Sequence, residues 1–242
     1  RMKSLLPKAL HKVAGKTLLS WLEDTLTSAS ISKKIFVLGH QSEILKEHIK
    51  GSEYVIQEPQ LGTGHAVKLT KEKVKDLNSL IIVAYADTPF ISPNTIKNMV
   101  SQIKNGFKIS ILGFKTDEPS GYGRIITDSN NQVSKIIEEN DADEEVKKVT
   151  LCNSGVLAGK ANDIFEYLNQ LKLSDNGEYY LTDIVSICAD RGSKVGYVES
   201  LEEELIGIND RTDQSEAEKI IQNKLIKKHL LNGVTLLNPS SV

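Results

Sequence analysis

Cysteine is scarce in this 242-residue chain, which holds only Cys152 and Cys188. Their spacing suits neither a zinc site nor a dithiol pair, so a disulfide framework is excluded and two buried thiols in a reducing cytoplasm is the expectation. Long hydrophobic runs are missing too. The stretch from Leu80 to Tyr85 is far short of the roughly 20 residues that span a bilayer, so no membrane partner is expected. The basic start, Arg-Met-Lys-Ser-Leu-Leu-Pro-Lys, lacks the apolar region of a signal peptide. Charge of one sign is also lacking. The formal net charge is −2, so no overall basic field gathers nucleic acid, and any phosphate ligand has to be gripped by local groups. No internal repeat, heptad run or low-complexity segment is present, nor is a Walker loop.

What remains is the balance of a globular protein, with 39% hydrophobic and 26% charged residues, long enough for one α/β domain and a short appendage. Extended and helical patterns alternate along it. Leu18 to Leu26 repeats apolar residues at helical spacing, Lys34 to Leu38 reads as a buried strand, and Ser42 as the cap of a helix to Ile49. Gly64 to Val74 is a helix, Leu80 to Ala84 a strongly buried strand, and Ser92-Pro93 an N-cap with proline opening a helix to about Ile103. Ile109 to Phe114 follows as a strand. This alternation predicts a mainly parallel sheet covered on both faces.

After residue 120 the pattern changes. Gly123 to Thr127 and Gln132 to Ile137 flank the polar turn Asp128-Ser129-Asn130-Asn131 and predict a hairpin. A strand from Leu151 to Ala158, helices near 161–171 and 179–189, and a strand from Lys194 to Val198 complete the domain. The hairpin is expected to form a subdomain over the sheet end where ligands bind. From Asp210 a helix with Ala217, Ile221 and Leu225 in one stripe runs to about Leu231, and Gly233 ends it.

Four local features are suited to chemistry. Leu6-Pro7-Lys8, near Arg1 and Lys3, reads from charge alone as a solvated basic loop first and a phosphate contact second. Gln57 to Gly64 is a glycine-bracketed loop entering a helix; it is either an ordinary turn or a place where backbone N–H groups and a helix terminus meet an anion. Tyr85-Ala86-Asp87-Thr88-Pro89 puts a carboxylate at the carboxyl end of the buried strand, as a turn aspartate or as a hard oxygen ligand for Mg²⁺. Gly121-Tyr122-Gly123-Arg124, Glu138, Asn153 and Glu178 to Asp183 add polar groups to the second half.

Taken together, in order and spacing, these segments resemble the uridyltransferase domain of the bifunctional N-acetylglucosamine-1-phosphate uridyltransferase/glucosamine-1-phosphate acetyltransferase family. The resemblance is carried by Arg1-Met2 with Leu6-Pro7-Lys8, Gln57 with Leu61-Gly62-Thr63-Gly64-His65-Ala66, and Tyr85 to Pro89. It continues through Gly121-Tyr122-Gly123-Arg124-Ile125, Glu138, Asn153-Ser154-Gly155, Glu178 to Asp183, and Gly207-Ile208-Asn209. It covers the whole chain and implies a Rossmann-like nucleotidyltransferase fold with a mixed, mainly parallel sheet and a hairpin-containing sugar subdomain. In that family a strand and a glycine-rich phosphate loop precede the Arg-Met step, and a left-handed β-helix follows the linker helix. The resemblance therefore implies a uridyltransferase domain over 1–209 without those first elements, a linker helix over 210–232 and the start of the β-helix over 233–242. It also implies weak activity for this piece alone, a monomeric state for it, and a homotrimeric parent.

The implied reaction is UTP plus N-acetylglucosamine 1-phosphate giving UDP-N-acetylglucosamine and pyrophosphate, a step toward peptidoglycan and lipopolysaccharide. The resemblance makes Arg1 and Lys8 the catalytic cations and Asp87 and Asn209 the ligands of Mg²⁺. Gln57, Gly62 and Thr63 become the uracil readers, with Tyr85 and Ala86 along the nucleotide. Gly123, Glu138 and Asn153 become the sugar contacts, with Tyr180 and Thr182 beside them. The chain departs from the family at Ala86, where glycine is common, and at Asn140, where a basic residue is frequent. The alternatives are a hexose-1-phosphate uridylyl- or thymidylyltransferase, and a non-catalytic UDP-sugar-binding module.

Overall fold

A computed structural model describes residues 2–241. The first elements are a short hairpin of β1 (Lys12–Val13) and β2 (Lys16–Thr17), which the sequence pattern does not announce, and α1 (Leu18–Ser28), capped by Thr17. Then come β3 (Ile35–Leu38), α2 (Ser42–His48), β4 (Glu53–Ile56), α3 (Thr63–Leu69) and β5 (Leu80–Val83). The second half runs through α4 (Pro93–Lys104), β6 (Ile109–Lys115), the hairpin β7 (Gly123–Thr127) and β8 (Val133–Ile137), β9 (Leu151–Lys160), α5 (Ala161–Leu168), α6 (Asp183–Asp190), β10 (Val195–Ser200) and α7 (Arg211–Leu231).

The main sheet has the order β10-β6-β9-β7-β8, with β5 also on β9, and β3 and β4 form a separate parallel pair. Helices cover both faces of the sheet: α5 and α6 pack on one around Ile164, Phe165 and Val185, and α4 on the other around Ile96 and Met99. The layered α/β fold with a mixed sheet is as expected. The parallel majority is not: among the described residues only β10–β6 and β3–β4 are parallel. The reason is β9, a ten-residue strand running against β5, β6 and β7 at once. It does so by bending where its register on β6 shifts between Ile111 and Gly113, with Gly155 at φ 86°. A bulge of this kind re-aims the side chains beside it, and Asn153 is one of them.

Several local expectations shift for identifiable reasons. Gln41, in the left-handed region, precedes α2 in place of the expected Ser42 cap. The helix expected over 64–74 is α3 plus a 3-10 turn from Thr70 to Lys73. The one expected from Tyr179 starts only at Asp183, because the Tyr179 N–H and C=O and the Leu181 N–H bond to Leu61, Gly64 and Thr63 around the start of α3. In α7 only Ala217 and Ile221 of the expected stripe are buried, packing on Val13, Leu18 and Ile208; Leu225 is 36% exposed.

Candidate active site

The carboxyl end of β5 gathers three distant segments. Ile208 N–H donates to Asp87 O at 2.8 Å, stitching the run before α7 to the turn after β5. Asp210 and Asp213 form a capping box at the start of α7, and Asp213 Oδ2 also accepts Asn209 N–H at 2.8 Å. This holds Asn209 beside Asp87. From the other side Pro7 opens a 3-10 turn, Lys8–Leu10, that presents Lys8. Its Nζ lies 2.5 Å from Asp87 Oδ2 and 3.0 Å from Asn209 Oδ1.

Two hard oxygens, one charged and one neutral, thus converge on a single cation. No group of three or more His, Cys, Asp or Glu suited to a metal occurs among the described residues. Two such oxygens are the small protein ligand set that Mg²⁺ accepts, an ion that keeps most of its shell as water and phosphate oxygen. Asp87 and Asn209 fit that role. Arg1, the other expected cation, lies outside the described residues.

A cleft of about 960 Å³ opens between β3 and β5. Its floor is apolar, with Ile35, Val37, Ile81 and Val83, and its carboxyl end is lined by Gln57, Gly62, Thr63, Tyr85 and Ala86. The expected nucleotide residues therefore share one wall. The loop before α3 is zipped to the segment at 179–181. Tyr179 N–H donates to Leu61 O (2.9 Å), Gly64 N–H to Tyr179 O (2.8 Å) and Leu181 N–H to Thr63 Oγ1 (3.0 Å). Gly62 is required there: at φ 91° a Cβ would stand 2.7 Å from Tyr179 O.

These bonds alter the expectation of an anion at the α3 terminus, because Gly64 N–H is already engaged by Tyr179 and α3 is only seven residues long. Gln57 Nε2 turns inward as well, to Gly62 O (2.8 Å) and His65 Nδ1 (3.3 Å). The extra methyl of Ala86 packs beside the cluster of Leu19, Leu38 and Ile49. Tyr85 lies against Gly155, where a Cβ would meet the ring edge at 2.8 Å. Burial pushes its phenol up to about 12, against a hydrogen bond with Thr63 and with the Asp87 and Glu138 charges acting in the same direction as burial.

On the far side, sheet register builds a second nest. Gly123 pairs with Asn153 across β7 and β9. The Gly123 Cα faces Glu138, whose Oε2 would be 3.1 Å from a Cβ placed there. Thr182 Oγ1 donates to Glu138 Oε1 at 2.7 Å, and Asn153, 8% exposed, accepts Gly155 N–H at 3.1 Å. The Tyr180 hydroxyl accepts a hydrogen bond from Asn176 Nδ2. Asp183, the end of the polar run from Glu178 and given no role by the sequence, adds a carboxyl raised by burial first and by Glu138 and Asp141 next. Its burial beside Glu138 and Asp141 is set by the fold and has no counterpart in the local pattern.

A model of the MobA-like NTP transferase domain matches residues 1–152. Bifunctional GlmU proteins of Caldanaerobacter subterraneus subsp. tengcongensis and Clostridioides difficile are 41% and 37% identical over 246 residues, covering 100% of this chain and 53% of theirs. The chain thus spans about half the length of the curated relatives it matches. Among solved structures, apo UDP-glucose pyrophosphorylase superposes with a TM-score of 0.75 at 20% identity, over 91% of this chain and 92% of that one. A UDP-glucose pyrophosphorylase complexed with UDP-glucose gives 0.68 at 21% identity, over 80% and 82%. At such identities these two speak for the fold alone.

Proposed function

The chain belongs to the MobA-like NTP transferase family, as a nucleotidyltransferase that aligns with the amino-terminal part of bifunctional GlmU proteins, and from this premise we propose that it transfers a uridylyl group from UTP to N-acetylglucosamine 1-phosphate. One observation carries the reading: Lys8, Asp87 and Asn209 meet at the carboxyl end of β5, one residue beyond Ala86, which lines the cleft together with the candidate nucleotide readers.

In this reaction a phosphate oxygen of the sugar phosphate attacks the α-phosphorus in line. The bond from that phosphorus to the bridging oxygen breaks, and pyrophosphate leaves. The protein has no covalent step to perform; it positions two polyanions and offsets their charge. Mg²⁺ held by Asp87 and Asn209 would supply charge neutralisation on the phosphates. Lys8 adds a compact positive charge, and Arg1 a second cation suited to forked phosphate contact. Gln57, Gly62 and Thr63 would face the uracil, with Tyr85 and Ala86 flanking the nucleotide. Gly123, Glu138 and Asn153 would face the sugar, with Thr182 orienting the Glu138 carboxylate. Tyr180 would contribute from the rim, once released from Asn176.

The cleft supports a further part of the reading. β5 pairs with β9 and β3 with β4, and the apolar walls between them suit one more strand, followed by a glycine-rich phosphate loop reaching the cation site. A second, acetyltransferase half after the α7 linker, trimer formation through it, a monomeric state for residues 1–242 alone and a cytoplasmic setting belong to the same proposal. No helix among the described residues is long and apolar enough to cross a membrane.

The test is Mg²⁺-dependent pyrophosphate release from UTP with N-acetylglucosamine 1-phosphate, beside the same assay with glucose 1-phosphate. Preference for the acetamido sugar is expected, because Asn153 and Gly123 line the proposed sugar side. Equal rates would replace this assignment by a hexose-1-phosphate transferase. UDP-sugar binding without turnover would leave a binding module.

A further inference from the structure

The bulkiest fully buried side chain of the molecule is a charged one. Arg124, the second residue of β7, is 1% exposed, and the reaction above gives it nothing to do. A guanidinium is rarely enclosed unless it is paired. Its Nη1 donates to Tyr122 O, and its Nη2 lies 2.9 Å from Glu139 Oε2. Glu139 Oε2 and Arg124 Nε are buried atoms without a hydrogen-bond partner among the described residues, and the second contact is an ion pair. The Arg124 guanidinium first, and the Gly121 N–H after it, hold the Glu139 carboxyl below the usual carboxylate range.

One side chain therefore ties together two segments: the turn at Gly121-Tyr122, where Gly121 has φ 86° and the Tyr122 ring packs edge-on to Phe114, and the Glu138-Glu139 step. Arg124 itself does not reach the proposed sugar nest. Directly opposed residues of an antiparallel pair share a face. Arg124 opposes Cys152, on the side packed by Phe114 and Tyr122, whereas Gly123 opposes Asn153 on the other side. The tie lies behind the sheet, and the two chain positions next to it, Gly123 and Glu138, are the ones that face each other across the nest.

We infer that Arg124 is a positioning residue of the sugar-phosphate pocket, setting the separation of Gly123 and Glu138 through its fork onto Tyr122 O and Glu139. The inference rests on the sugar-side reading proposed above. A guanidinium is needed because its N–H groups leave at fixed angles toward acceptors on two segments; a lysine keeps the charge but not the fork.

The experiment measures calorimetric binding of UDP-N-acetylglucosamine and of UTP to wild type, Arg124→Lys, Glu139→Gln and the double variant, each checked by thermal melting. UDP-N-acetylglucosamine is expected to bind about tenfold more weakly to each single variant, because each breaks the buried ion pair that holds the two segments, while UTP binding is unchanged. The double variant is expected to be no weaker than the weaker single one, since both changes break the same tie. Should Arg124→Lys not fold, Glu139→Gln, whose side chain is partly exposed, carries the comparison. Variants that bind both ligands as wild type does, or lose both equally, overturn the inference alone. A wild-type protein that binds neither ligand overturns the functional reading and this inference with it.

Discussion

The cation end and the inner wall of the cleft are built on opposite principles. Lys8, Asp87 and Asn209 meet through side chains that stay partly open to solvent, 38% for Lys8 and 27% for Asp87, and through charge. The wall at Gln57, Gly62 and Thr63 is held by backbone bonds to 179–181 and by Gly62, which admits no Cβ, and the Gly123-Glu138-Asn153 nest on the far side is held by sheet register. An open ion pair contributes little to stability because water and salt screen it. A buried backbone zipper costs a desolvated N–H or C=O whenever it is broken. The cation end should therefore govern chemistry with little effect on folding, and the wall should govern both.

The sharpest way to break this contrast is Asp87→Asn. Pyrophosphate release is expected to fall by about 10²–10³-fold, the range for removing one preorganised charge contact, with an unchanged melting curve. Retained turnover would take Asp87 out of the metal site; a large drop in melting temperature would erase the distinction between the two regions. Gly62→Ala should show the reverse order of effects. At φ 91°, with a Cβ 2.7 Å from Tyr179 O, it is expected to cost about 1–3 kcal/mol of stability, read by urea denaturation. A variant as stable as wild type would mean that the zipper yields without cost.

Thr182→Val sharpens the comparison within the nest. Losing the 2.7 Å bond to Glu138 should cost about 1 kcal/mol and raise KM for the sugar phosphate while KM for UTP stays put. A shift in both would make Thr182 a general structural contact. The smallest effect is expected at Asp183, whose carboxyl is raised above its ordinary 3.8 chiefly by burial. The folded state then holds that proton more tightly than the unfolded chain does. Its contribution to stability is complete below 3.8 and is lost as pH rises through the raised value. Asp183→Asn is expected to melt higher than wild type at pH 7, with the gain vanishing as pH falls through the carboxylate range. A gain that grows on acidification would reverse the assignment.

Much of this was legible without coordinates because local chemistry repeats. Ser92-Pro93 opens α4, Thr95 N–H reaching Ser92 Oγ at 3.1 Å. Asp128 closes the β7–β8 turn by accepting Asn130 and Gln132 N–H groups, both at 2.9 Å. Asp210 caps α7 as its side chain requires. Hydrogen bonds between distant segments were illegible. Tyr179 to Leu181 has a helical pattern, yet its backbone partners are Leu61, Thr63 and Gly64, so α6 starts late. Tyr180 reads as a sugar neighbour, and the bond its hydroxyl accepts from Asn176 was not foreseen.

Side-chain type, spacing and family resemblance by themselves determined the alternation of strands and helices, the caps and turns, and which polar residues were candidates for the site, because these follow from neighbours in the chain. Tertiary structure alone decided that Asp87 and Asn209 converge on Lys8, that β9 bends to carry strands of both halves, and that Arg124 is enclosed behind the sheet beside Glu139. Those outcomes depend on groups far apart in sequence finding one another as apolar surface leaves water, and no local rule encodes which of many possible meetings the packed core permits.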